Sequence, residues 1–296
     1  TIMTTRIAIV ILASLLFTCN KPTSLELLKQ QIENELASVE GTFAVAFKDL
    51  QTGDTLLLNE HEVFHAASTM KTPVMMEVYK QAEAGNLSLT DSIVVKNEFH
   101  SIVDGSTYQL DLGDDSEQDL YTAVGRKSTL AALMYDMIIV SSNLATNIVI
   151  ELVDAKKVTQ TMRDMGAKDI QVLRGVEDSK AFELGMNNTT TAYDLMIIFE
   201  QIGKGTAVSK EASDDMIRIL LDQKFNEMIP AQLPENVKVA HKTGSITGVR
   251  HDSGIIFLPD GKKYVLVLLS KNMSNPDAGV EAMAKVSKLI YDYVTR

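Results

Sequence analysis

Apolar residues recur at helical spacing over residues 25–37, at Leu25, Leu28, Ile32 and Leu36, and predict an amphipathic helix. The period then changes. Residues 43–49 alternate and are rich in aromatic and branched side chains, Gln51-Thr52-Gly53-Asp54 reads as a turn, and residues 55–59 return as a second strand. A helix is expected from Ser68 to about Ala84, where Gly85-Asn86 stops it; Pro73 falls in its first turns, where proline costs least. The 3.6-residue period continues over residues 127–140, 144–153, 158–165, 191–202 and 211–221. Residues 237–243, 253–258 and 263–269 read as strands, with Pro259-Asp260-Gly261 as a tight turn, and a last amphipathic helix covers about residues 278–293. The pattern breaks between Phe99 and Gly125. The acidic run from Asp111 to Glu117 reads there as a solvated, extended loop, and it lacks the oxygen-ligand spacing of a calcium loop.

The order is therefore helix, two strands, a helical block, three strands, helix. Its simplest solution is a two-lobed α/β fold, in which five strands form one antiparallel sheet flanked by the terminal helices and the helical block forms an all-helical lobe. On this reading the catalytic domain spans 25–296, with an α/β lobe of 25–67 and 225–296 and a helical lobe of 68–224. With 296 residues, 45% of them hydrophobic, the chain can bury a sizeable core.

Charge narrows the partners. A net charge of −11 with no basic block argues against nucleic acid. The N-terminal residues read as an export leader over 1–18, with Met3 as the natural start, Arg6 as its positive end and an apolar run over 7–17 too short to span a bilayer as a stable helix. Leu16-Phe17-Thr18-Cys19 is similar to a bacterial lipoprotein box, with Cys19 lipidated and 19–24 as a linker; an ordinary cleaved signal peptide is the alternative. Either way the expected location is exported and periplasmic, membrane-anchored if Cys19 carries lipid. Cys19 is also the sole cysteine, which excludes a disulfide within the chain.

Three short strings carry the chemistry. In Ser68-Thr69-Met70-Lys71 the serine and lysine lie one helical turn apart on one face, so an amine can reach a hydroxyl. A serine is a weak nucleophile until a base takes its proton, and a lysine serves as base only where burial or neighbouring cations lower its pKa. Ser141-Ser142-Asn143 and Lys242-Thr243-Gly244 follow in chain order. This triple set resembles the class A serine β-lactamases, members of the penicillin-recognising serine hydrolases, and the resemblance runs from about Leu25 to the C-terminus.

The resemblance implies the same two-lobed fold, with the site in the cleft between lobes, and it implies roles. Ser68 is the acylated nucleophile, Lys71 its base or proton relay, and Ser141 passes a proton to the leaving nitrogen. Asn143 binds the substrate's side-chain amide, and Lys242 and Thr243 bind its carboxylate, with Arg250 as an extra cation. Gly244 leads to Ser245, whose N–H forms the oxyanion hole with that of Ser68. Ser142 stands where the family has Asp, which predicts a weaker brace for this turn. The deacylating carboxylate is Glu177 by its distance to the Thr189-Thr190-Thr191 run. Lys180-Ala181 stands where the family has Leu-Asn after its glutamate; Glu183, in Glu183-Leu184-Gly185-Met186-Asn187, matches the local motif better but falls late in the loop. Asn188 replaces the Asp that closes the family's loop neck.

The implied activity is hydrolysis of a β-lactam amide through a Ser68 acyl-enzyme, in an antibiotic-resistance role, with a small-molecule substrate, no cofactor, no metal and a monomeric enzyme. A penicillin-binding D,D-peptidase with slow deacylation is the alternative, and a lipid-anchored cell-wall binding module with a degenerate site is a third. The five histidines carry no metal-ligand spacing and read as incidental.

Overall fold

The computed structural model describes residues 23–296; the leader and Cys19 lie outside the described residues. In chain order the helices are α1 (Ser24–Leu36), α2 (Lys71–Glu83), α3 (Leu130–Ile139), α4 (Asn143–Val153), α5 (Ala155–Asp164), α6 (Ser179–Glu183), α7 (Ala192–Lys204), α8 (Lys210–Leu221) and α9 (Pro276–Val294). The strands are β1 (Thr42–Asp49), β2 (Thr55–Leu58), β3 (Phe64–His65), β4 (Ser92–Val94), β5 (Phe99–His100), β6 (Thr107–Tyr108), β7 (Lys127–Thr129), β8 (Thr189–Thr190), β9 (Lys238–Ile246), β10 (Val249–Phe257) and β11 (Lys263–Lys271).

Four long strands and the short β2 form one antiparallel sheet in the order β2-β1-β11-β10-β9. The alternation of β1 decides how it is covered. Phe43, Val45 and Phe47 face a core shared with Leu28, Ile32 and Leu36 of α1 and with Met283, Val286 and Ile290 of α9. Ala44 and Ala46 face the opposite way, with Val265, Val267 and Leu269, into the larger core that includes α2, α3, α4 and α7. The sheet is thus buried on both faces.

α7 falls within the span of the helical lobe, yet it packs on the sheet through Leu195, Ile198, Phe199 and Ile202, so one core joins the lobes. The helical lobe also carries short ribbons, β4 with β7 and β5 with β6, that the periodicity did not predict. Residues 127–129 are one of them. The helix expected from 127 begins at Leu130, because Thr129 accepts the Ala132 N–H as an N-cap.

The acidic stretch is mostly exposed, as a solvated loop should be, with Asp115 as the buried exception. Ser116 donates to Val140 O at 2.6 Å, and Asp115 is only 5% exposed. Asp115 attaches it to the start of α4 and the exposed Ser116 to the end of α3, which places it at the mouth of the cleft.

Candidate active site

Ser68 sits in the 3-10 turn Ala67–Met70 that leads straight into α2, one residue-turn ahead of Lys71. α2 is buried over residues 71–79, so the lysine is carried into the core. Strand β9 is a sheet edge whose open side passes this turn. Gly244 makes that approach possible, since a Cβ there would lie 3.1 Å from Ser68 N and 3.2 Å from Ala67 Cβ. The N–H of Ser68 and strand residue Ser245 consequently line the same cleft.

Lys71 is fully buried. Its Nζ donates to Ser141 O at 2.7 Å, Ser141 Oγ at 3.1 Å and Asn143 Oδ1 at 3.0 Å. Burial pulls its ammonium down to about 7, against the opposing pull of the Asp115 and Glu177 carboxylates. An amine with that pKa is neutral in a large fraction of molecules near pH 7, the state a base needs.

Lys242 comes to the same cluster from β9. It is fully buried behind Ser141, donating to Ser141 Oγ at 3.1 Å and Thr243 O at 2.9 Å, and does not reach into the open cleft. Burial, and then the charge of Lys71, hold it well below the usual lysine range. Thr243, Gly244, Ser245 and Arg250 do line the cleft, in a cavity of about 460 Å³ that they share with Ser68 and Ser141. The Arg250 guanidinium is steadied by Ile246 O at 2.9 Å and Val249 O at 2.8 Å.

Glu177 faces the same cluster from a loop. Its Oε1 accepts from Asn143 Nδ2 at 2.8 Å. Burial lifts its carboxyl above the usual range, the Asn143 hydrogen bond opposing. Glu183, by contrast, is exposed at the end of α6. Lys180, one of the two residues standing where the family has Leu-Asn, turns outward to Asp104 at 2.7 Å.

The loop neck is closed by an amide. Asn188 Oδ1 accepts the N–H of Leu173 at 2.8 Å and of Arg174 at 3.2 Å, and its Nδ2 donates to Arg174 O at 2.9 Å. Arg174 then ties the far side through Met186 O at 2.9 Å. Asn147, which the sequence did not single out, clamps the next turn by exchanging hydrogen bonds with Val176 N at 2.6 Å and Val176 O at 3.0 Å. Gly175 is needed there, because a Cβ would stand 2.2 Å from Asn147 Oδ1.

Backbone strain concentrates at this site. Of the six non-glycine residues with positive φ among the described residues, Ala67, Ser141 and Glu177 flank or form it. Two of the five histidines, His65 and His251, brace the segment ahead of Ser68. His251 is buried, its Nε2 2.9 Å from His65 O, which anchors the segment leading to Ser68; His65 Nδ1 in turn accepts the Ala67 N–H at 3.0 Å. A second cavity, of about 360 Å³, opens beside Ser68 between the Glu177 loop and β9, lined by His65, Val176, Phe182 and Ile246.

Comparison with known proteins agrees with this geometry. Residues 27–294 match the family model described as the beta-lactamase enzyme family. Beta-lactamase VEB-1 of Pseudomonas aeruginosa is 24% identical over 300 residues, covering 96% of each chain. A beta-lactamase of Bacteroides uniformis is 25% identical over 298 residues, covering 97% of each. Among solved structures, the beta-lactamase of Sphaerobacter thermophilus is 27% identical with a TM-score of 0.78, over 90% of this chain and 97% of that one. PBP-A is 26% identical with a TM-score of 0.79, over 91% and 96%. The two-lobed fold, with a serine and a serine-asparagine pair at its cleft and two lysines buried behind them, is that of a class A serine beta-lactamase. The chain belongs to the beta-lactamase enzyme family.

Proposed function

We propose that this chain hydrolyses the amide of a β-lactam in two steps through an ester on Ser68. Neutral Lys71 takes the Ser68 proton as Oγ attacks the carbonyl carbon. The N–H groups of Ser68 and Ser245 hold the developing oxyanion. The ring C–N bond breaks, and Ser141 delivers a proton to the leaving nitrogen. Ser141 is suited to that relay because its hydroxyl lies between the two buried amines, 3.1 Å from each. Thr243, Ser245 and Arg250 take the substrate carboxylate, with Lys242 acting from behind through Ser141. Water, deprotonated by Glu177, then hydrolyses the ester and frees Ser68.

The observation that carries this reading is the position of Glu177. A carboxylate hydrogen-bonded to the amide that also binds Lys71 is placed to serve the acyl ester. A D,D-peptidase-like protein that acylates and stalls is the second reading. It is favoured by the likeness to PBP-A, a point mutant of which is seen as an acyl-enzyme complex with penicillin G, and by Lys180 and Ala181 standing where a Leu-Asn pair is expected. Mass spectrometry of the protein mixed with penicillin, followed over time, separates them. A transient adduct on Ser68 with full turnover supports the hydrolase. An adduct held for hours supports the peptidase, and labelling that survives in Ser68→Ala sinks both.

The proposal extends to location. The leader over residues 1–18 and the box ending at Cys19 support export to the periplasm with a lipid anchor.

A further inference from the structure

The first turn of α4 carries Asn143, whose Oδ1 binds Lys71, and follows directly on Ser141, which supplies the other two acceptors; its backbone donors are all accounted for. A helix start leaves its first N–H groups without intrahelical partners. Here Ser142, the N-cap, accepts the Ala145 N–H at 3.1 Å. The two earlier donors go to a different loop. Asp115 Oδ2 accepts Asn143 N at 2.9 Å and Leu144 N at 2.9 Å, with Oδ1 3.0 Å from Asn143 N. Tyr121 Oη donates to Oδ2 at 3.0 Å and Glu117 N to Oδ1 at 3.1 Å, so both oxygens are saturated in a nearly dry setting. α4 has eleven residues, and a carboxylate at its N-terminus is favoured by the helix dipole.

This turn must be held against strain. Ser141 has φ +58°, and its carbonyl and hydroxyl both accept from Lys71. Release of the Asn143 and Leu144 amides would free Ser141 to relax and would carry Asn143 Oδ1 with it.

We propose that Asp115 is a positioning residue for acylation: from the 99–125 segment it fixes the Ser141–Asn143 turn on Lys71 and supplies the negative charge that the neutral cap Ser142 lacks. The inference rests on Ser68 being the acylated residue; failure of that reading shows separately, as no adduct in the unmodified protein.

The test is the rate of Ser68 acylation by penicillin across pH in Asp115→Asn. The rate should fall, by up to about 10²-fold for an ångström-scale displacement. Its acid limb should move to lower pH. The charged groups facing Lys71 are Asp115, Glu177 and Lys242, and removing the carboxylate that holds the Lys71 pKa up lowers it. Adding Ser142→Asp puts a carboxylate back at the same helix start, and should recover rate and limb together. An unmoved limb, or a loss that the double variant leaves in place, overturns the proposal, since a mere strut would give either. If Asp115→Asn does not fold, Asp115→Glu keeps the charge and displaces it; acylation at the unmodified rate in that variant overturns it equally.

Discussion

Asn143 Nδ2 donates to Glu177 Oε1 at 2.8 Å, while Oδ1 of the same amide accepts from Lys71 at 3.0 Å. One side chain thus couples the group assigned to acylation with the group assigned to deacylation. Removing the Glu177 charge leaves Lys71 able to take the Ser68 proton, so the first step survives and the second stalls. Glu177→Gln should therefore accumulate a stable penicilloyl adduct on Ser68, seen by mass spectrometry. Glu183→Gln, at an exposed position on α6, should turn over like the unmodified enzyme. An adduct trapped by the Glu183 change instead would reassign the loop.

The two steps should part company with pH. Acylation needs neutral Lys71, whose ammonium lies at about 7, so its rate should climb as pH rises through that value. Deacylation needs the Glu177 carboxylate ionised. Burial lifts its pKa above the usual range, so deacylation should fall on acidification sooner than an exposed glutamate would dictate. Separate pre-steady-state rates across roughly pH 5–9 measure both limbs. An acylation rate flat through neutrality would remove Lys71 as the base.

What the sequence made legible was whatever an element displays along its own length. The alternation of Phe43, Val45 and Phe47 announced a strand, and the helical periods of residues 25–37 and 278–293 announced the helices that cover one face of the sheet. The serine, lysine and asparagine strings stood at the ends of such elements and were equally readable. Asp115 was not, because a carboxylate that closes another segment's helix leaves no mark in its own neighbourhood; only the missing charge at Ser142 hinted that one had to come from elsewhere. His251 was missed for the same reason, since its partner at His65 is 186 residues away. Lys242 was placed on the right strand, while its contact with Ser141 depends on the strand's side-chain direction, which spacing does not display.

Location has its own check. Stable anchoring takes more than one acyl chain, as a lipidated N-terminal cysteine provides. Cys19→Ser should move the protein from the membrane fraction to the soluble one, or block its maturation, in fractionated cells. A fully soluble unmodified protein whose mature chain begins at another residue would reject the lipoprotein reading.

The closest test of the oxyanion geometry is a single methyl group. At Gly244 an added Cβ would stand 3.1 Å from Ser68 N and 3.2 Å from both Ala67 Cβ and Thr69 Cγ2, tight but short of a collision. The strand and the turn can part by a few tenths of an ångström, at a cost of about 1–3 kcal/mol for overpacking. The nearest atom is the amide assigned to the oxyanion, so the shift falls on catalysis more than on folding. Gly244→Ala should lower acylation by roughly tenfold or more, short of the ~10²–10³-fold lost with an entire oxyanion donor. Gly254→Ala is the contrasting change on the neighbouring strand, where a Cβ would lie 2.5 Å from Ala240 O within the sheet itself. Its penalty should appear as lost thermal stability and yield. If Gly244→Ala melts as early as Gly254→Ala and acylates normally while folded, the close approach of β9 to Ser68 serves packing alone.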